Sequence, residues 1–98
     1  MFPISNWMQD NNNPFLNLIY ALHFSAMQGM GKIKNPLTDK IERNLAHAKE
    51  SIDMLILLRD KTKGNLSTEE DTILTGIISE VQLNYVDESQ KDKNVTIN

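Results

Sequence analysis

The sequence contains no cysteine. Disulfides and thiolate metal sites are excluded outright, and the usage suits a reducing compartment. Aromatic residues make up only 6%, with one tryptophan, and there are four glycines and three prolines in 98 residues. Positive charge is not in excess either: Lys plus Arg number 10 against 13 for Asp plus Glu, a net charge of −3. A nucleic-acid binder normally carries a basic patch. Here cations and acids are interleaved, the densest group being Arg59, Lys61 and Lys63, so no nucleic-acid partner is expected. No positively charged segment precedes the apolar run at Phe15, which argues against a secretory signal. That run is also too short and too interrupted for a membrane span. The expected location is the cytoplasm, and the length suits one domain with a modest core.

What is present is helical periodicity. From Asp39 to Lys63, Ile41, Leu45, Ala48, Ile52 and Leu55 recur at alternating intervals of four and three, which places them on one face at ~100° per residue. Arg43, His47 and Glu50 share the polar side, and Lys49 and Asp53 form a candidate i,i+4 pair. Pro36 forbids a helix entering from upstream, and Thr38 or Asp39 supplies a cap. Gly64 after Lys61-Thr62-Lys63 reads as the C′ residue, with cations near the negative helix end. The predicted helix spans 39–63 and about 37 Å. In its second half Met54, Ile56, Leu57 and Leu58 make it apolar almost all round, so it needs partners on more than one side.

Two further helices flank it. Asn13-Pro14 is a capping side chain followed by proline at the first helical position, and the helix runs over 14–28, stopping near Gly29 and Gly31. Asn17, Ala21, Ser25 and Gln28 form one narrow strip of polar or small residues, while Phe15, Leu16, Leu18, Ile19, Tyr20, Leu22, Phe24, Ala26 and Met27 surround it. One neighbouring helix cannot cover so wide an arc, which points to self-association or a protein partner. Ser67-Thr68-Glu69-Glu70 has the form of a capping box. It opens a third helix over 68–86, with Leu74, Ile77, Ile78, Val81 and Tyr85 on one face and Gly76 with Thr72 and Ser79 as a strip of small side chains. That strip suits either close approach of another helix or simple exposure. Residues 1–13 lack a period and read as a mobile leader, its Trp7 either a loosely docked aromatic or a partner anchor. Residues 87–98 read as a disordered polar tail.

The stretch from Asn35-Pro36 through Ala48 to Leu58, the block Lys61-Thr62-Lys63-Gly64-Asn65-Leu66-Ser67-Thr68-Glu69-Glu70 and the ending Asn84-Tyr85-Val86 resemble the small bacterial family known as domain of unknown function 1844. The apolar helix LNLIYALHFSAMQGMGKI is similar to that family's first helix, and the resemblance covers roughly residues 15 to 86. It implies a bacterial, cytoplasmic, all-helical protein. It implies no activity and no functional residues.

Candidate chemistry is sparse. His23, in the apolar arc, is either a buried or interface histidine with one satisfied hydrogen bond or a pH-responsive interface residue. His47 is a residue of a solvated face, since a metal site would need ligands from other helices that the sequence does not show. Arg59 either lays its stem over apolar surface or pairs with Glu70 or Asp71. Gly31-Lys32 lacks the glycine spacing and the following Ser or Thr of a phosphate loop. Lys61 to Leu66 could serve as a recognition loop, but helix-stop residues followed by a Leu tucked under the next helix explain all of it. With no catalytic constellation, no metal and no cofactor implied, the expectation is an all-α, three-helix antiparallel bundle. It is expected to be non-enzymatic and to self-associate as a dimer, or to bind a further protein. The candidate interface is Leu16, Tyr20, His23, Phe24, Met27, Met54, Leu57 and Leu58. The alternative is a small-molecule or lipid-binding protein whose apolar surplus lines a pocket. Membrane attachment through the first helix is disfavoured because its polar strip lacks Lys and Arg.

Overall fold

The computed structural model describes the backbone of residues 13–97 and the side chains of residues 13–93. The leader 1–12, with Trp7, lies outside the described residues. The described residues form three helices: α1 (Pro14–Gly29), α2 (Leu45–Lys61) and α3 (Thr68–Ile97). α2 packs against both neighbours and α1 touches α3 less, so α2 is the central element of an all-α bundle.

Each helix begins where a side chain satisfies its first free N–H groups. The Asn13 carboxamide oxygen accepts from the N–H of Phe15 at 3.0 Å and of Leu16 at 3.2 Å, and Pro14 follows it. Ser67 and Glu70 complete their capping box: Glu70 N–H donates to Ser67 Oγ at 3.1 Å and Ser67 N–H to Glu70 Oε1 at 2.9 Å. α1 ends in a paired-carbonyl cap, with Lys32 N–H on Met27 O at 2.9 Å and Gly31 N–H on Gln28 O at 3.0 Å. That geometry needs a left-handed residue at C′, and Gly31 supplies it with φ of 80°. α2 ends at Thr62, so left-handed Gly64 (φ 85°) lies one residue beyond C′.

The start of α2 differs from the sequence expectation. Residues 39–44 are not helical, and the cap is neither Thr38 nor Asp39 but Asn44, whose Oδ1 accepts from His47 N–H at 3.0 Å. The cause is a tight turn built on Asn35. Its carbonyl accepts from Thr38 at 3.2 Å and Asp39 at 2.7 Å, its N–H reaches Lys40 O at 2.8 Å, and its Oδ1 takes Leu37 N–H at 2.8 Å. Asp39 adopts φ of 58° there. An Asn side chain bonding its own backbone two residues on competes with helix, and here the turn prevails. α2 is therefore 17 residues, about 25 Å, and Ile41 is 52% exposed outside it.

The tail differs in the opposite sense. Residues 87–97 continue α3 as a 30-residue helix, about 45 Å long. Glu88 extends the core stripe of Val81 and Tyr85, is only 6% exposed, and meets three cations. Its carboxylate lies 2.9 Å from Lys32 Nζ, 3.0 Å from Arg43 Nη2 and 3.0 Å from Lys91 Nζ. Arg43 reaches on to Asp92 at 2.7 Å and donates to the Glu88 carbonyl at 3.1 Å. Partners from the α1–α2 linker thus hold the polar end of α3 in place.

The core is Ile19, Ala26 and Met30 of α1 and its cap, Ala48, Ile52 and Leu55 of α2, and Leu74, Ile77, Ile78 and Val81 of α3. Each large member contributes roughly 1.5–3 kcal/mol of burial, more than any single cap. α1 and α2 converge where Gly29 meets Ala48: a Cβ on Gly29 would sit 2.9 Å from Ala48 N and 3.0 Å from its Cβ.

Candidate functional site

The described surface keeps large apolar side chains in the open on α1 and α2. Leu18 and Tyr20 are each 46% exposed, Phe24 38%, Met54 53% and Leu57 52%. They face outward because of how α1 and α2 are registered. Ser25 Oγ lies 2.8 Å from His47 Nε2 and 2.8 Å from Ser51 Oγ, which turns one edge of α1's polar strip towards α2. Tyr20 and Phe24 share the outer surface of α1 with Asn17, Ala21 and Gln28.

The other residues expected at an interface are distributed differently. Leu16 and Met27 pack against the core, and Leu58 is half-buried. His23 faces α3: its Nε2 is shielded from solvent, makes no hydrogen bond among the described residues, and has Glu80 Oε1 at 3.4 Å. The single satisfied hydrogen bond expected for it is not formed at that nitrogen. The surface that remains is Tyr20, Phe24, Met54 and Leu57, joined by Leu18.

The polar groups organise the fold. Lys49 and Asp53 pair at 3.0 Å as their spacing predicts, and the bond raises the lysine's pKa. Arg43 does not share a helix face with His47, since it precedes α2 and is held by Asp92 and Glu88, which raise its pKa. Arg59 forms no ion pair with Glu70 or Asp71 among the described residues. Glu70 instead accepts from Asn13 Nδ2 at 2.8 Å and from Ser67, and these bonds lower its pKa. Glu88 is pulled down to about 2 by Lys32, Lys91 and Arg43 against the cost of its burial. Sequence reasoning missed this cluster. The available signal was that Glu88 falls one step of three beyond Tyr85 on the core stripe, where a charge demands a partner.

Ser25 and His47 have the separation of a nucleophile and its base. His47 is exposed and Ser25 half-buried, the other close neighbour is Ser51, and no carboxylate orients the imidazole through a described hydrogen bond. Such a pair pins two helices and lacks the further groups that acyl transfer requires. No group of three His, Asp or Glu side chains suited to a metal ion occurs among the described residues. Among the depressions lined by described residues, three are of some size. One of about 680 Å³ lies between Arg59, Lys63 and Asp71; one of about 330 Å³ lies between Ile56 and Tyr85; and one of about 400 Å³ lies beside Leu83. Tyr20, Phe24, Met54 and Leu57 line none of the three.

Fold and surface together define a small all-α, three-helix domain with its helices capped at Asn13, Asn44 and Ser67. The model of the family described as "Domain of unknown function (DUF1844)" matches residues 13–88. The match spans most of the chain, from the α1 cap to the buried Glu88, and the chain belongs to that family. No curated protein and no solved structure matches it. Among the described residues, no helix is long and apolar enough to cross a membrane.

Proposed function

We propose that this chain is a non-enzymatic helical interaction module that self-associates as a symmetric pair through the outer face of α1 and the adjoining edge of α2. The observation that carries the reading is the apolar surplus left after the core is filled. Leu18, Tyr20, Phe24, Met54 and Leu57 keep between 38% and 53% of their surface in solvent. Large apolar side chains left in solvent on a small domain favour association, and aromatic and Met side chains are the types that interface centres favour. An isologous contact lets one patch serve both partners. The proposed setting is the bacterial cytoplasm, supported by the family resemblance and by the absence of cysteine. Nucleic acid is not proposed as a partner, given the net charge of −3.

Light scattering over a wide concentration range tests the reading on the wild type and on Phe24→Glu, which places a charge at the centre of the face. The expected result is a self-associated species whose mass falls in the variant while helix content stays the same. A mass that does not respond to Phe24→Glu overturns it.

A further inference from the structure

The solvent side of α3 carries a second pattern that the α1 face does not use. Thr72, Gly76, Ser79, Leu83, Val86 and Gln90 follow one another at intervals of four, three, four, three and four. That spacing draws a single straight seam along a helix, and it lies opposite the core stripe of Leu74, Ile78, Val81 and Tyr85. Every seam residue is exposed, Leu83 at 74% and Val86 at 53%. A Cβ placed on Gly76 meets nothing within 4 Å, so nothing inside the protomer demands a glycine there.

The seam complements itself. Its residues are placed symmetrically about Val81: Ser79 and Leu83 two residues either side, Gly76 and Val86 five, Thr72 and Gln90 nine. Laid antiparallel on a second α3 about a two-fold axis at the level of Val81, each Leu83 faces a Ser79 and each Val86 faces a Gly76. The large side chains of one copy enter the gaps left by the small ones of the other, which lets two helix backbones approach closely. The ends match in charge. The acidic first turn of α3 falls level with basic residues of the second copy, Glu69 with Lys93 and Asp71 with Lys91, the latter also paired with Glu88 and Asp87 of its own protomer. A parallel pairing would instead set Leu83 on Leu83, Gly76 on Gly76 and acid on acid. The two Glu80 side chains flank the axis, and each has His23 of its own protomer at 3.4 Å. The clasp on Glu88 holds this length of α3 as helix.

We infer that the outer seam of α3 is an isologous contact that pairs antiparallel with the same seam of a second copy of this chain. It is separate from the α1 face and goes beyond the function proposed above. A protomer with two isologous contacts builds a tetramer when the two axes cross at right angles.

Disulfide trapping decides the matter, because the natural sequence has no cysteine to interfere. Chains carrying Thr72→Cys are mixed with chains carrying Gln90→Cys and oxidised, in the wild-type and Phe24→Glu backgrounds alike. The antiparallel seam predicts a mixed disulfide between the two variants in both backgrounds. It also predicts little product from either variant alone, since like positions then lie at opposite ends of the pair. A second variant, Gly76→Leu, fills the gap that receives Val86 without meeting any atom of its own protomer, and it is expected to abolish the mixed disulfide while the fold is kept. Strong self-crosslinking of Thr72→Cys, no mixed product, or a mixed product indifferent to Gly76→Leu overturns the inference. The Phe24→Glu background keeps this result distinct from the fate of the α1 face.

Discussion

Replacing Glu88 by Gln removes the charge of a buried carboxylate that meets three cations and keeps its shape. The Glu88 side chain is 8% exposed and its carboxylate has cationic nitrogens at 2.9, 3.0 and 3.0 Å. Those bonds, from Lys32, Lys91 and Arg43, hold its pKa at about 2 where the ordinary value is 4.5. At full weight the difference corresponds to roughly 3 kcal/mol of folding stability. The cations keep 31%, 58% and 34% of their side-chain surface in solvent for Lys32, Lys91 and Arg43, and screening there reduces the measurable share to roughly 2 kcal/mol. The sign follows from the depressed value. The contribution is complete above 4.5, where the unfolded carboxyl is already ionised, and it fades as the pH falls from there towards 2. Urea denaturation at a series of pH values, run on the wild type and on Glu88→Gln, reads it directly. The two curves should differ by about 2 kcal/mol at neutral pH and converge at the acid end. Glu70, whose pKa is also lowered, contributes to both proteins and cancels in the difference. Amide exchange in the last turns of α3 should quicken in the variant, because Glu88 is the buried point at which the linker grips that segment. A gap between the two proteins that does not change with pH would refute the electrostatic account.

Two glycines should answer the same substitution with opposite signs. Gly29→Ala puts a methyl group against Ala48 backbone at 2.9 Å and should cost about 1–3 kcal/mol, whereas Gly76→Ala meets open space within its own protomer and, at concentrations low enough to keep the chain monomeric, should gain up to ~1 kcal/mol through helix propensity. Thermal unfolding of both variants checks this, and a shared sign would contradict the packing at the α1–α2 crossing. Asn13→Ala removes the α1 cap and should cost about 1 kcal/mol. It also removes the largest cause of Glu70's lowered pKa, so an NMR titration of Glu70 should move towards the ordinary carboxylate value.

The features legible in the sequence were those whose cause is local. The Asn13-Pro14 start, the Ser67–Glu70 box and the glycine stop of α1 are each written within a few residues, and each is formed, whereas Gly64 is left-handed but falls one residue past the C′ position expected for it. The core stripe of α3 was legible for the same reason, since period alone places Leu74, Ile77, Ile78 and Val81 on one face. The start of α2 failed because two local signals competed. Ile41 continued the spacing of Leu45 and Ala48 by coincidence, while the Asn35 side chain closed a turn that ends only at Lys40. The length of α3 failed for a non-local reason. Residues 87–93 are polar when read along the chain, and only the fold brings Lys32 and Arg43 to Glu88.

The apolar surplus was legible in amount but not in direction. α1 has apolar residues around most of its circumference, and periodicity cannot choose which of them two neighbouring helices will cover. Hydrogen bonding decides it. Ser25, a member of the narrow strip of polar or small residues, reaches His47 and Ser51 at 2.8 Å each, because a half-buried hydroxyl between two helices must find partners. Turning Ser25 towards α2 directs Ile19, Ala26 and Met30 inwards and leaves Tyr20 and Phe24 in solvent. The polar strip is thus split between a helix–helix seam and the surface, and the apolar arc is split between the core and the surface. The exposure of Tyr20 and Phe24 is therefore a consequence of how α1 is fastened, and it is this exposed pair that the proposed self-association would cover.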